Sequence, residues 1–158
     1  MTIDDIVRQS GTYFDEGYYC AESVLLAVCN HYGIQSRWIP KIATGFCSGM
    51  ARTGGMCGAF TGAVMAVNLF TGRDTPEASL EKSYRTVNRL TDLFKARFGT
   101  TTCPELIGCR LDTKAGQQRF KAGNLIMKCR QATVEAAAMA MQVISEILQE
   151  ENRIDNDA

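Results

Sequence analysis

The sequence predicts an all-α protein, a compact helical bundle of about five main helices with short connecting helices. Apolar residues recur at three- and four-residue spacings, and helix-starting and helix-stopping residues bracket those stretches. No stretch alternates apolar and polar residues as a half-buried strand does. At 158 residues, 46% hydrophobic and 22% charged, the chain suits one domain able to bury a real core. We expect that domain over residues 1–150, followed by a polar tail over 151–158.

The first helix is expected behind Thr2, with Asp4 and Asp5 in its first turn and Ile3, Ile6, Val7 and Phe14 on one face. The second begins at about Cys20, presents Ala21, Val24, Leu25, Val28 and Tyr32, and stops at Gly33. A short helical segment over Trp38 to Thr44 leads into Gly45 to Gly55, where glycines at 45, 49, 54 and 55 predict an irregular loop. A third helix runs from about Cys57 to Phe70.

Thr75-Pro76-Glu77 predicts the start of a fourth helix, whose stripe of Leu80, Tyr84, Val87, Thr91, Phe94 and Phe98 ends at Gly99. Pro104 opens a short helix beside Cys103, and Asp112 and Thr113 offer caps for a segment containing Phe120. The last long helix is predicted from about Leu125 to Gln149, with Val134, Ala137, Ala138, Met141, Ile144 and Leu148 inward. The tail ENRIDNDA is expected to fray.

Lys plus Arg equals Asp plus Glu, 17 each, so no broad positive field attracts nucleic acid or anionic lipid. The longest apolar run, Met56 to Val67, is too short to span a membrane. The N-terminal residues lack the basic and apolar regions of a secretory signal, and a cytoplasmic location is expected. A homodimer is the default assembly.

Seven cysteines are therefore the feature to explain. In a reducing compartment such thiols serve as metal ligands, redox groups or small buried hydrophobes. No CxxC pair announces a zinc, ferredoxin or thioredoxin-like site. Cys20, Cys57 and Cys103 instead fall at predicted helix starts, where free N–H groups and the helix dipole favour a thiolate. Cys129 lies early in the last helix.

Cys29, inside an apolar pattern, reads as core filler, whereas Cys47 and Cys109 stay open between packing and chemistry. Gly58, Gly62 and Ala66 leave one stripe of the third helix nearly bare, so a neighbouring backbone can approach. Gly58 and Gly62 are also the candidate cofactor-binding positions. Gly49 to Gly54 has the glycine spacing of a phosphate loop, but Gly55-Met56 stands where Lys and Ser/Thr should follow. His31 reads as a polar residue near a helix end, and Met65, Met139 and Met141 as core.

Cys57-Gly58-Ala59-Phe60-Thr61-Gly62 matches a CGAxxG motif. With Cys20 before it and Cys103 and Cys129 after it, the chain resembles the C-GCAxxG-C-C family of proteins described as redox-active, over roughly Tyr13 to Ala137. CPELIGCRLDT and the Lys128-Cys129 pair strengthen the likeness, while Cys29, Cys47 and Cys109 lie outside the pattern. Some members carry selenocysteine in place of a cysteine, which suits redox chemistry.

The resemblance implies a small helical redox protein in which Cys20, Cys57, Cys103 and Cys129 converge for thiol/disulfide exchange or electron transfer. Cys57 is the leading nucleophile, and the partner is a redox protein or a small thiol. In a second reading the same four sulfurs hold zinc or an iron–sulfur cluster. In a third, the chain is a helical interaction module whose thiols fill space.

Overall fold

The computed structural model describes residues 2–156. They form α1 (Ile3–Asp15), α2 (Cys20–His31), α3 (Cys47–Arg52), α4 (Gly58–Thr71), α5 (Glu81–Phe98), α6 (Cys103–Ile107), α7 (Lys114–Ala122) and α8 (Ile126–Asn156). A 3₁₀ turn over Lys41–Phe46 precedes α3. The all-α class holds: among the described residues the sole β pairing is one isolated antiparallel bridge, Met56 to Thr102.

Local chemistry explains most boundaries. Thr2 caps α1 in a capping box with Asp5, whose carboxylate accepts from the Thr2 amide at 2.8 Å. Thr113 caps α7 by accepting from the Gly116 amide at 3.0 Å. Gly99 ends α5 in the left-handed region, as an expected stop does.

The principal core lies where α2 and α4 cross and α8 covers both. Ile6, Val24, Leu25, Val28, Val67, Leu90, Phe94 and Ile144 are fully enclosed there. Phe60, Phe94 and Phe98 continue it as a chain of tilted rings with centroids 5.2 and 4.7 Å apart. The bare stripe of α4 sets the crossing. A Cβ on Gly62 would stand 2.7 Å from the Ala21 carbonyl oxygen and 2.8 Å from its Cα, so the helices meet backbone to backbone.

Three boundaries depart from expectation. Thr75-Pro76-Glu77 makes a single turn, with the Ala78 amide donating to Thr75 and Arg73 donating to the Pro76 carbonyl. Ser79 then accepts from the Glu81 amide, and α5 starts only at Glu81. Its buried positions are Thr86, Leu90 and Phe94, whereas Tyr84 faces solvent at 58% exposure. At the other end of the chain α8 runs on to Asn156, beyond the expected stop near Gln149. Lys82 and Arg85 of α5 pair with Glu151 and Glu150 of that extension. Of the expected frayed tail, Asp157 and Ala158 lie outside the described residues.

The third departure lies in the glycine-rich loop. It is ordered as a left-handed turn: Ser48, Gly49, Met50, Ala51 and Arg52 all have positive φ, between 54° and 68°. Left-handed backbone costs an L-residue roughly 1–2 kcal/mol, so four non-glycine residues store real strain. The turn is held by hydrogen bonds from Thr53 Oγ1 to the Met50 carbonyl, 2.7 Å, and from the Gly55 amide to the Gly49 carbonyl, 3.0 Å.

Candidate functional site

The isolated bridge is the frame of the site. The Cys57 amide donates to the Thr101 carbonyl at 2.8 Å, and the Cys103 amide donates to Gly55 at 2.9 Å. Two segments more than forty residues apart thus fasten Cys57, the N-cap of α4, beside Cys103, the first residue of α6. The left-handed turn packs beneath them: a Cβ on Gly49 would stand 2.5 Å from the Cys103 Cβ.

A cavity of about 250 Å³ opens over this frame. Cys20, Cys57, Cys103 and Cys129, contributed by α2, the start of α4, α6 and α8, all line it. Phe14, Leu106, Ile107, Phe120 and Ile126 form apolar wall, and exposed Arg52 and Lys121 bring positive charge to it. Cys57 and Cys103 are 5% and 6% exposed, so they meet solvent chiefly through the cavity.

Enclosure decides the electrostatics. Burial pushes the Cys57 thiol up to about 11; the N–H groups of Phe60 and Ala59 pull it the other way, and Cys103 adds a smaller upward push. Burial and then the neighbouring Cys109 raise Cys103 to about 11. Cys129 reaches about 12, through burial first and then Cys103, Cys57 and Cys109. The expectation that helix starts would make these thiols readily ionised is therefore corrected for Cys57 and Cys103. At Cys57 desolvation outweighs the Phe60 and Ala59 amides, and at Cys103 burial acts with no amide set against it.

Two cysteines outside the family pattern belong to the same neighbourhood. Cys109 packs with Cys103, Ile107 and Cys129 in a second small core. Cys47 adjoins Cys20: a Cβ on Gly58 would stand 2.3 Å from Cys20 Sγ and 3.1 Å from the Cys47 Cα. Hydrogen bonding with the Cys20 thiol, followed by burial, raises Cys47 far above the ordinary thiol range, while the Glu22 and Ala21 amides oppose this. Loop position alone could not reveal either neighbour.

The remaining candidates fall elsewhere. Cys29 is enclosed in the principal core, where burial alone raises it to about 11. His31 stacks edge-on against Tyr32 with centroids 4.6 Å apart. Gly58 lines the cavity, and Gly62 is buried against Ala21 in the helix crossing. A zinc or iron–sulfur centre needs its sulfurs gathered as a ligand set. Among the described residues no group of three or more His, Cys, Asp or Glu side chains is placed to hold a metal ion.

No helix among the described residues is long and apolar enough to cross a membrane. No curated protein and no solved structure matches the chain. A family model does match, over residues 18–143, starting five residues later and reaching six further than the likeness read from the sequence. The chain accordingly belongs to the family described as "Putative redox-active protein (C_GCAxxG_C_C)".

Proposed function

We propose that the protein exchanges thiols with a small disulfide admitted to the cavity, using Cys57 and Cys103 as the working pair. The observation that carries this reading is the convergence of Cys20, Cys57, Cys103 and Cys129 on one cavity, with Cys57 and Cys103 fastened by the same bridge.

In the proposed reaction the Cys57 thiol loses its proton and the thiolate attacks one sulfur of the incoming disulfide. A mixed disulfide forms and one substrate sulfur leaves as a thiolate. The N–H groups of Ala59 and Phe60 support the Cys57 thiolate at the moment of attack. Cys103, likewise deprotonated, then attacks the Cys57 sulfur and releases the second substrate thiolate, and the two protons given up by the cysteines go to the released thiolates through solvent. Two protein thiols have become one disulfide, and the substrate disulfide has taken up the two electrons. Run backwards, the same steps oxidise two small thiols to their disulfide.

Cys129 and Cys109 lie close enough to influence Cys103, and Cys129 serves as an alternative resolving thiol.

The test is stoichiometric. Reduced protein is titrated with hydroxyethyl disulfide, quenched with acid, alkylated and mapped by peptide mass spectrometry. A linked Cys57–Cys103 peptide is expected, with Cys57→Ser abolishing it and leaving the helical content unchanged. Full alkylation of Cys57 after other cysteines have been oxidised would refute the assignment.

A further inference from the structure

We infer that Cys20 and Cys47 form a second, separate dithiol, in which Cys20 meets the oxidant in the cavity and Cys47, behind it, resolves the mixed disulfide. The inference rests on the cavity being where the oxidant enters, as the proposed function has it. It adds a redox residue that the four-cysteine pattern does not contain.

The geometry is specific to this corner of the fold. Cys20 is the first residue of α2 and Cys47 the first of α3, and both are buried, at 7% and 5% exposure. They meet across Gly58. The space a Cβ would occupy there is already taken, 2.3 Å from Cys20 Sγ, 3.0 Å from the Phe46 carbonyl oxygen and 3.1 Å from the Cys47 Cα. Glycine at 58 is thus what lets the Cys20 sulfur reach the Cys47 backbone. The Cys47 sulfur also lies 3.7 Å from the Ala43 carbonyl, to which it donates, so its position is fixed on both sides.

Access divides the roles. Cys20 lines the cavity together with Cys57 and Cys103. Cys47 is not among the residues that line it, and its thiol is held protonated by hydrogen bonding with Cys20 and by burial, against the Glu22 and Ala21 amides at the start of α2. A disulfide entering the cavity is attacked by the Cys20 thiolate, releasing one thiolate of the oxidant. The Cys47 thiolate then displaces the second from Cys20. Each cysteine gives up its proton to solvent, and the oxidant's disulfide takes up two electrons.

Cys47 is also the residue from which the strained left-handed turn departs. That turn carries Ser48 and Arg52 to the cavity lining and presses Gly49 against Cys103. A bridge at Cys47 would therefore pin the wall behind the Cys57–Cys103 pair.

The deciding experiment uses the full, reduced chain and oxidised glutathione, followed by acid quenching, alkylation and non-reducing peptide mapping. Cleavage at Glu22, Arg37 and Lys41 places Cys20, Cys29 and Cys47 on separate peptides, and cleavage at Glu105 separates Cys103 from Cys109. A Cys20–Cys47 linked peptide is expected in the wild type. In Cys47→Ser, Cys20 should instead keep a glutathione adduct, with Cys47→Ala as a second variant if the serine form unfolds.

A wild-type map in which Cys20 is bridged to Cys57 or Cys103 overturns the inference. So does one in which Cys20 and Cys47 are both alkylated after the oxidant has consumed Cys57 and Cys103. A Cys20–Cys47 bridge with Cys57 and Cys103 still reduced would uphold this pair and sink the proposed function. A protein inert at all four positions would sink both.

Discussion

Cys57 and Cys103 hydrogen-bond through their own amides into one bridge, Cys57 to Thr101 and Cys103 to Gly55. Their separation is therefore set by backbone, which moves less than side chains do, and the left-handed turn supports it from below. Gly49 is the contact point, with φ of +68° and a Cβ position 2.5 Å from the Cys103 Cβ.

Gly49→Ala is accordingly expected to strain the turn and displace Cys103. A loss of about 1–3 kcal/mol follows from overpacking in a tight site, to be read by denaturant unfolding. The yield of the Cys57–Cys103 bridge in peptide maps should fall with it. Wild-type stability together with wild-type bridge yield would show that the turn does not hold the pair.

Gly62 tests the other support. Its Cβ position collides with the Ala21 backbone rather than with the flexible end of a side chain, so relief requires α2 and α4 to move apart. Gly62→Ala should therefore destabilise by about 1–3 kcal/mol or more, although alanine is the better helix former. A melting temperature equal to or above the wild-type value would mean that α2 and α4 can part by a methyl group without cost.

How far the sequence carries depends on whether the cause is local. Thr2, Thr113, Gly99 and Pro104 act within a turn of themselves, and the elements they bound were legible. Thr75-Pro76-Glu77 predicts a helix start but closes only a single turn, and α5 begins at Glu81, whose amide donates to Ser79. The end of α8 was missed because its last turns lack an apolar stripe and are tied by ion pairs to α5, a partner that periodicity does not reveal.

The site divides in the same way. Cys20, Cys57, Cys103 and Cys129 were found through their positions and the family motif. The bridge through Met56 and Thr102 is one pair wide and joins distant segments, so it leaves no alternation to read. Cys47 and Cys109 became neighbours of the others only through that tertiary assembly. A run of left-handed residues at Met50, Ala51 and Arg52 contradicts their intrinsic preference outright, and no propensity argument leads to it.

The α5 to α8 ion pairs stand at the surface, with Arg85 to Glu150 at 2.9 Å and Arg89 to Glu146 at 3.3 Å. Exposed pairs contribute roughly 0–1 kcal/mol each and weaken with salt. Replacing Glu150 and Glu151 by Gln should thus fray the last turns of α8 while lowering global stability by about 1 kcal/mol or less. Hydrogen exchange should rise over residues 148–156 and little elsewhere. A global loss well beyond that would give the extension a larger part in the fold.

The raised thiols fix the direction of the pH dependence. Cys57 and Cys103 ionise at about 11 and Cys129 at about 12 in the folded protein, against 9.0 for a free thiol. The native state therefore holds protons that the unfolded chain releases. Their contribution to stability is full below about pH 9, declines above it, and is lost as pH passes through about 11 to 12. Tyr13 and Tyr32, also raised by burial, act in the same sense, so the cysteine share must be isolated. A variant with Cys57, Cys103 and Cys129 all changed to Ser should show a flatter stability profile between pH 9 and 11. In the wild type, alkylation of Cys57 by iodoacetamide should climb about tenfold per pH unit and keep climbing past the point where a free thiol levels off. A plateau at or below pH 9 would mean that the helix-start amides, rather than burial, govern this thiol.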